Sequence, residues 1–478
     1  MSNLSDLLPT GGGQNAVDFV ASGTLGSGVT VVLNNDGTVS VVAEVPQALG
    51  SPTAFDNSLT YYNTATFDSA SNKVVIAYRD SGNSNYGTAV VGTVSGTSIS
   101  FGTPVVFEIA DTRWTSATFD SAAGKVVIAY QDFGNSGYGT AIVGTVSGTS
   151  ISFGTPAVFE SASTTYIAAT FDSALNKVVI AYVDGGNSYY GTAIVGTVSG
   201  TSISFGSAVV FKSAGITFMG SIFDSTNNKV VIAYRDDSNS SYGTAIVGTV
   251  SGTSISFGSE VVFSNSSTDQ PAFAYDSTSN KVVIAYKDFG NSGYGTAIVG
   301  TVSGTSISFG TAVIFANSGT SRLSPTFDSA ANKTVIAYQD EGGLNYGKLV
   351  VGTVTNDTIA FGAETVFDSV STSHFGATFD SVANKVVIVY KGASFGTGIV
   401  FTTPSSNNTS FIGITDQAIA DGASGPVNVY GGINEAQSGL TIGSDYYVQA
   451  DGSIATTVSD VKIGQAISAT TINIRDLT

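Results

Sequence analysis

The sequence predicts an all-β protein whose body is a seven-bladed β-propeller. Three observations support this prediction. A unit of 52 residues recurs seven times, and each unit has the sequence pattern of four β-strands. The last unit lacks its fourth strand, and a segment that matches this strand precedes the first unit. Repeats of this length predict arrays or rings of supersecondary units, in which each unit buries its apolar faces against its neighbours.

Two short markers define the repeat. The first, FDS, begins at residues spaced 52 apart: Phe67, Phe119, Phe171, Phe223, Tyr275 (where YDS stands in), Phe327 and Phe379. The second, KVVIAY or a close variant, begins at Lys73, Lys125, Lys177, Lys229, Lys281, Lys333 and Lys385. The spacing between successive markers is constant, so the copies align without insertions and can be compared position by position.

Each copy is predicted to form four strands, named A to D here. Strand A leads into FD, strand B is KVVIAY, strand C is the TAVVGTV segment, and strand D is SISFGTPVVF. Asx and Gly turns between A and B and between C and D are typical of hairpins. Strand B is apolar on both faces, which predicts a sheet that is covered on both sides.

Ring closure favours a propeller over a linear β-solenoid, the rival architecture. The seventh copy lacks strand D, whereas GSPTAF at residues 50–55 aligns with GTPVVF at residues 102–107. We therefore predict that residues 45–56 lie beside residues 398–403 and complete the last blade, which would leave no unpaired sheet edge there.

The two ends of the chain fall outside the repeat. We predict an N-terminal arm and hairpin in residues 1–44, the propeller in residues 45–403, and a small C-terminal β domain in residues 404–478. Residues 27–42 and 443–458 share the pattern of a strand, an Asp-Gly turn and a second strand, which predicts two hairpins that pair into one module. TGGGQN, residues 10–15, is typical of a flexible arm.

Differences between the copies mark a candidate binding surface at the entrance to strand A. One aligned column reads Tyr62, Trp114, Tyr166, Phe218, Gln270, Arg322 and His374, and it holds the only tryptophan and the only histidine of the chain. Neighbouring variable positions supply Arg79, Arg113 and Arg235.

In a four-stranded blade, the connections from D to A and from B to C emerge on the same face. We therefore expect these residues to surround the mouth of the central channel. Aromatic planes, guanidinium groups and amides suit the recognition of a glycan or a protein. The alternative is that the loops vary because they tolerate change, or that the aromatic residues plug the channel.

Composition excludes several kinds of chemistry. The chain has no cysteine and one histidine, so we predict no zinc or iron site, no disulfide and no serine triad. The repeated aspartates, the Asp68 and Asp80 series, are separated by a full strand and cannot pair as the carboxylates of a glycoside hydrolase. We interpret them as turn residues that accept hydrogen bonds from their own loops, with calcium at the Asp80 loops as the alternative. We predict no enzymatic activity and no cofactor.

The net charge of −18 disfavours nucleic acid and anionic membranes as partners. The sequence contains no run of 18 apolar residues, so we predict no membrane insertion. The first residues lack the basic and apolar regions of a secretion signal.

Three segments carry a resemblance to a family. LSDLLPTGGGQNAVDFVASGTL, the repeat VVIAYRDSGNSNYGTAVVGTVSGTSISFGTPVVF and the ending GLTIGSDYYVQADGSIAT with VKIGQAISATTINI resemble virion proteins of tailed phages of marine cyanobacteria. The resemblance covers nearly the whole chain and implies a tail fibre, tail tip or particle-surface protein made in the host cytoplasm. It implies other virion proteins and a host surface glycan or protein as partners, and carries over no catalytic residue.

Three hypotheses of function are alternatives to the tail-fibre adhesin: a capsid decoration or head-fibre protein, a free carbohydrate-binding lectin, and a propeller hydrolase. The receptor, the oligomeric state in the particle and the terminal segment that docks on it are also open.

Overall fold

The computed structural model describes residues 15–459 and 461–475. The chain divides into two compact units. The ring unit spans residues 48–403, and the terminal unit combines the segments before and after it. The N-terminal arm predicted for residues 1–14 lies outside the described residues.

Strand B organises every copy of the repeat because both of its faces are buried. In the first copy, Val74, Ile76 and Tyr78 pack against residues of the seventh copy. Val75 and Ala77, which point to the other side of the same strand, pack against the second copy. The alternation of a β-strand thus gives each sheet two apolar faces, and each face needs a neighbouring sheet.

The strands pair in antiparallel order A–B–C–D within each copy. Strand B spans Lys73–Asp80, Lys125–Asp132, Lys177–Asp184, Lys229–Asp236, Lys281–Asp288, Lys333–Asp340 and Lys385–Lys391. Strand C spans Tyr86–Ser95, Tyr138–Ser147, Tyr190–Ser199, Tyr242–Ser251, Tyr294–Ser303, Tyr346–Thr355 and Gly396–Thr402. Short 3₁₀ turns, Phe133–Asn135 and Phe289–Asn291, follow strand B in two copies.

Strand D differs from the prediction because it forms in two pieces. The first pieces are Ser98–Phe101, Ser150–Phe153, Ser202–Phe205, Ser254–Phe257, Ser306–Phe309 and Thr358–Phe361. The chain then breaks at Gly102, where a Cβ atom would lie 1.8 Å from the carbonyl oxygen of Thr149 in the next copy. Pro104, which cannot donate to a sheet, follows this close approach.

Strands D and A are joined without a loop, also unlike the prediction. Val105–Asp120 begins beside strand C of the first copy and ends beside strand B of the second. The equivalent strands are Ala157–Asp172, Val209–Asp224, Val261–Asp276 and Val313–Asp328, whereas Thr365–Ser371 and Ser373–Asp380 are separate and Thr60–Asp68 starts the series. One strand thus crosses from each sheet to the next.

The N-terminal side of the repeats completes the seventh sheet. Ala48–Leu49 and Thr53–Asp56 pair antiparallel with Gly396–Thr402, as predicted for this segment. The innermost strands of successive copies contact one another, and Ser373–Asp380 of the seventh copy contacts Thr60–Asp68 of the first. The copies therefore close on themselves in the manner of a β-propeller-like fold, and they do not form an open stack.

The tyrosine that ends KVVIAY anchors the interior. Tyr78 is fully buried, and its hydroxyl donates to Asp56 at 2.9 Å. Tyr130 and Tyr182 donate in the same way to Glu108 and Glu160. Burial raises the pKa of each of these tyrosines and of both glutamates. These hydrogen bonds satisfy polar groups that would otherwise be costly inside the ring.

The terminal unit contains two five-stranded sheets and a two-stranded pair. In sheet order, the first is Ala16–Val20, Ser424–Asn428, Phe411–Thr415, Thr30–Leu33 and Val39–Val41. The second is Ile433–Asn434, Ile472–Ile474, Lys462–Ala466, Asp445–Val448 and Ile454–Ala455. The two-stranded pair consists of Glu44–Val45 and Ser405–Ser406, and the 3₁₀ turn Asn408–Ser410 follows it in the chain.

The two predicted hairpins both form, one in each five-stranded sheet of the terminal unit. A shared apolar cluster that includes Val32, Ile414, Val448 and Ile463 joins the two sheets. Across the described ranges, no helix has both the length and the apolar character needed to span a bilayer.

The closure of the ring by the N-terminal segment can be tested at Phe55. This residue is buried, and its ring centroid lies 5.1 Å from that of Tyr78 and 5.8 Å from that of Phe101. We expect Phe55→Ala to lower the free energy of unfolding by roughly 3–5 kcal/mol, because it leaves a cavity at the junction of the seventh and first copies. Denaturant unfolding measures this. The matched control is Phe211→Ala, the equivalent residue inside the array, and a much smaller loss for Phe55 would contradict a fully packed closing strand.

Candidate functional site

The aligned column of variable residues lies at a β-bulge in strand A. In the first copy, strand A pairs with strand B at Tyr61 and again at Thr64, so that Tyr62 and Asn63 together face a single residue of strand B. The other six copies have the same shift. The bulge turns one side chain of each copy out of the regular alternation of the strand.

All seven residues of the column have left-handed backbone conformation, with φ between 46° and 57°. They are Tyr62, Trp114, Tyr166, Phe218, Gln270, Arg322 and His374, named the bulge ring from here on. Left-handed conformation is strained for residues with a Cβ atom and costs on the order of 1–3 kcal/mol each. Sequence periodicity gave no sign of this feature.

Five members of the bulge ring form a continuous series of contacting rings, the aromatic arc. The ring centroids are 5.5 Å apart for His374 and Tyr62, 5.2 Å for Tyr62 and Trp114, 4.3 Å for Trp114 and Tyr166, and 5.2 Å for Tyr166 and Phe218. All five are half-buried. The structure therefore brings together residues that are at least 52 positions apart in the chain.

The remaining two members, Gln270 and Arg322, form the polar arc. The backbone N–H of Arg322 donates to the side-chain oxygen of Gln270 at 2.5 Å. Arg322 is the one exposed member of the bulge ring. The ring thus presents an apolar, aromatic side and a side with an amide and a guanidinium group.

The second set of variable residues pairs directly with the first, which places both on one edge of the sheets as predicted. Tyr61 pairs with Arg79, Arg113 with Gln131, and Thr217 with Arg235. The sequence pattern predicts a loop for the connection from D to A. In the structure this connection is the continuous crossing strand, and it passes from one sheet to the next at this same edge, at Asp111 and Thr112 in Val105–Asp120.

The three predicted arginines of this set are held by carboxylates. Arg79 and Arg113 both pair with Asp111, at 2.6 and 2.9 Å. Arg235 pairs with Asp237 at 2.9 Å and Asp269 at 2.7 Å. Their charges are largely neutralised within the protein, so these arginines are less available to a ligand than Arg322.

Two adjoining cavities lie inside the bulge ring. The larger, of about 350 Å³, is lined by strand A residues of all seven copies and by Trp114, Tyr166, Phe218, Gln270 and Arg322. The smaller, of about 160 Å³, is lined by Tyr62, Trp114, Gln270, Arg322, His374 and deeper residues. The larger volume falls within the roughly 300–1,000 Å³ typical of small-molecule sites.

Asn63 is a site residue that the sequence analysis missed. It lines both cavities and is 6% exposed, and neither its amide nitrogen nor its amide oxygen has a hydrogen-bond partner among the described residues. A signal was available, because the aligned column reads Asn63, Thr115, Ile167, Met219, Pro271, Leu323 and Phe375. The single amide stands among mainly apolar residues.

His374 is neutral at physiological pH. Burial lowers its pKa to about 3, and the positive charges of Arg322, Lys391 and Arg79 act in the same direction. Its Nδ1 lies 3.1 Å from the hydroxyl oxygen of Ser373. The ring therefore acts as an aromatic, polar surface and not as a cation.

The repeated aspartates have the structural role that the sequence predicted. Asp68 accepts from the backbone N–H groups of Ala70 and Ser71, and Asp80 accepts from those of Gly82 and Asn83. Within residues 15–459 and 461–475, no cluster of three or more histidine, aspartate or glutamate side chains is arranged to hold a metal ion.

Comparisons with known proteins give a likeness of fold. Neither a protein-family model nor a curated protein matches the chain. The solved structure of BP39L lectin from Burkholderia pseudomallei superposes with a TM-score of 0.56 at 10% identity, covering 73% of this chain and 99% of the lectin. A protein of unknown function from Dyadobacter fermentans reaches a TM-score of 0.45 at 10% identity, over 76% of this chain and 99% of its own. The first comparison supports a propeller-like fold of the kind seen in that lectin.

The low pKa of His374 predicts a pH dependence of stability. The unfolded chain binds a proton near pH 6.5 and the folded chain near pH 3, so acid favours unfolding between these values, by up to about 1.4 kcal/mol per pH unit. We expect His374→Gln, which copies Gln270, to lose less stability than the parent chain as pH falls from 8 to 4.5.

The comparison at pH 8, where the imidazole is neutral in both states, isolates the packing effect of this replacement. Because the chain has one histidine, NMR gives a direct check. A histidine ring signal that titrates near pH 6.5 in the folded protein would contradict the assignment.

Proposed function

We propose that this chain is a non-enzymatic recognition protein whose seven-bladed propeller binds a carbohydrate at the bulge ring. The observation that carries the proposal is that the bulge ring has large side chains at positions where the backbone conformation is strained for them. Left-handed conformation favours glycine, yet none of the seven copies has glycine there, and five have aromatic rings. A large side chain is retained at each position despite a cost that glycine would remove.

The chemistry of the ring suits a sugar. Sugars have apolar C–H faces that pack on aromatic rings and hydroxyl edges that need directed hydrogen bonds. The aromatic arc offers the first kind of contact, and Gln270, Arg322 and Asn63 offer the second. The larger cavity exposes somewhat more polar than apolar surface, which suits a ligand rich in hydroxyl groups.

The likeness to BP39L lectin agrees with this proposal at the level of fold. The count of seven blades rests on the pairing of the strands. In the described ranges, six sheets have the same A–B–C–D pairing and a seventh is completed by Thr53–Asp56. The inner strands make contact around the ring, including the seventh with the first.

We further propose that the protein is displayed on a phage particle, as a tail-fibre or surface adhesin or as a head-fibre decoration protein. The resemblance of its sequence motifs supports this setting. A structural observation also favours it, because described segments before and after the repeats form a compact β unit of their own, which can serve for docking. Electron microscopy of intact particles, with quantification of copies per particle, tests the setting, and absence from purified particles would refute it.

The carbohydrate proposal predicts that Trp114→Gln weakens binding by roughly five- to thirtyfold. The replacement copies Gln270, which occupies the same strained position, so the fold should persist, while the loss of an aromatic contact costs about 1–2 kcal/mol. Glycan-array screening of the parent chain identifies a ligand, and calorimetry measures the affinity of the parent and the variant.

Leu175→Ala is the matched control, since Leu175 is exposed in the A–B turn at the opposite end of strand A. Trp114, as the single tryptophan, also reports binding through its fluorescence in the parent chain. Unchanged affinity in Trp114→Gln, or equal losses in both variants, would count against the bulge ring as the site.

A further inference from the structure

We propose that the bulge ring selects an acidic carbohydrate, whose carboxylate or sulfate group binds Arg322 while a neighbouring hydroxyl binds Asn63. This inference rests on the proposed carbohydrate-binding function and names the class of sugar. It follows from the distribution of charge around the ring and from one unpaired amide beneath it.

Most cations near the ring already have carboxylate partners. Arg79 and Arg113 share Asp111, Arg235 pairs with Asp237 and Asp269, and Lys287 pairs with Glu341 at 2.7 Å. Arg322 and Lys391 differ, because neither has a carboxylate oxygen within 4 Å in the part of the chain that the structure describes. Lys391 instead lies 5.3 Å from the centroid of the Tyr61 ring.

The two unmatched cations flank His374 on neighbouring copies. Arg322 belongs to the sixth copy, and Lys391 pairs with Ser373, the residue before His374, in the seventh. Burial is the main cause of the low pKa of His374, and the charges of Arg322, Lys391 and Arg79 lower it further, which agrees with a positive field at this position. In a chain of net charge −18, a local excess of positive charge at the edge of a cavity attracts an anion that the rest of the surface repels.

Arg322 is also positioned to bind a ligand. Its backbone is fixed by the hydrogen bond to Gln270 and by the crossing strand on which it lies, whereas its side chain is exposed and lines both cavities. A guanidinium group donates two parallel hydrogen bonds to a carboxylate or sulfate, which gives geometric specificity as well as attraction.

Asn63 supplies the second contact. Its side chain is more than nine-tenths buried and faces the same small cavity as Arg322, and both of its polar atoms lack partners among the described residues. An amide can donate to one sugar hydroxyl and accept from another. A cavity wall with an exposed cation at its edge and an unpaired amide within it matches a sugar that carries both an acidic group and hydroxyls.

The test compares charged and uncharged forms of the same sugars by calorimetry. The probes are oligogalacturonate and its methyl ester, and a sulfated galactan oligosaccharide and its desulfated form. We expect at least tenfold tighter binding of one charged form than of its uncharged partner, with a preference that weakens as salt is added. The pair that shows the preference identifies the carboxylate or the sulfate as the group bound.

Three variants assign the effect. Arg322→Gln, which copies Gln270, should abolish the preference for the charged form, so that the charged and uncharged forms bind with similar affinity. Asn63→Leu, which copies Leu323, should weaken binding of both forms. Lys125→Gln, at the start of strand B in the second copy, removes one positive charge far along the strand from the ring and should change neither.

The outcomes separate this inference from the proposed function. Equal binding of charged and uncharged forms, or a preference that survives in Arg322→Gln, overturns the acidic-sugar inference while the carbohydrate proposal stands. Absence of binding by all four probes and by every glycan of an array overturns both. Selective binding of uncharged glycans alone, lost in Trp114→Gln, overturns the inference and supports the broader proposal.

Discussion

Burial of strand B on both faces is the constraint from which the rest of the ring unit follows. Val74 and Ile76 face one neighbouring copy and Val75 and Ala77 face the other, so no sheet can stand at an open end without exposing one of these faces. Closure removes the problem because the seventh copy covers the first. The short pairing of Thr53–Asp56 with Gly396–Thr402 therefore contributes more than its hydrogen bonds, because it also places Phe55 in the apolar cluster between the seventh and first copies.

Closure also creates the candidate site. The innermost strands approach one another closely around the axis, and their small residues permit this: a Cβ atom on Gly220 would lie 2.9 Å from the carbonyl oxygen of Pro271, and one on Gly376 would lie 2.9 Å from the amide nitrogen of Ala65. At that spacing, the bulged residues of five successive copies contact one another through their rings. The aromatic arc is thus a product of the ring geometry, and aromatic pairs of this kind add about 0.5–1.5 kcal/mol each beyond their burial.

Sequence reasoning predicted the strands, the closing segment and the convergence of the two variable columns, because each depends on spacing, which a 52-residue repeat displays openly. It did not predict the bulge at Tyr62, the continuous strand Val105–Asp120 or the two-piece strand D. These depend on contacts between copies, such as the approach of Thr149 to Gly102, that no local pattern encodes. The ion pair between Arg235 and Asp269 joins two copies and depends on side-chain conformation, so the sequence alone could not show that the arginines have carboxylate partners.

Repetition explains how such a site can tolerate variety. Since the apolar interior is repeated almost unchanged in every copy, a replacement in the bulge ring alters one contact among seven equivalent ones and leaves the core intact. The same backbone position accepts an indole, a phenol, an amide, a guanidinium and an imidazole with φ near 50° in every case. A ring of identical frames with different side chains can therefore change the ligand it recognises by single substitutions, without loss of the fold that positions them.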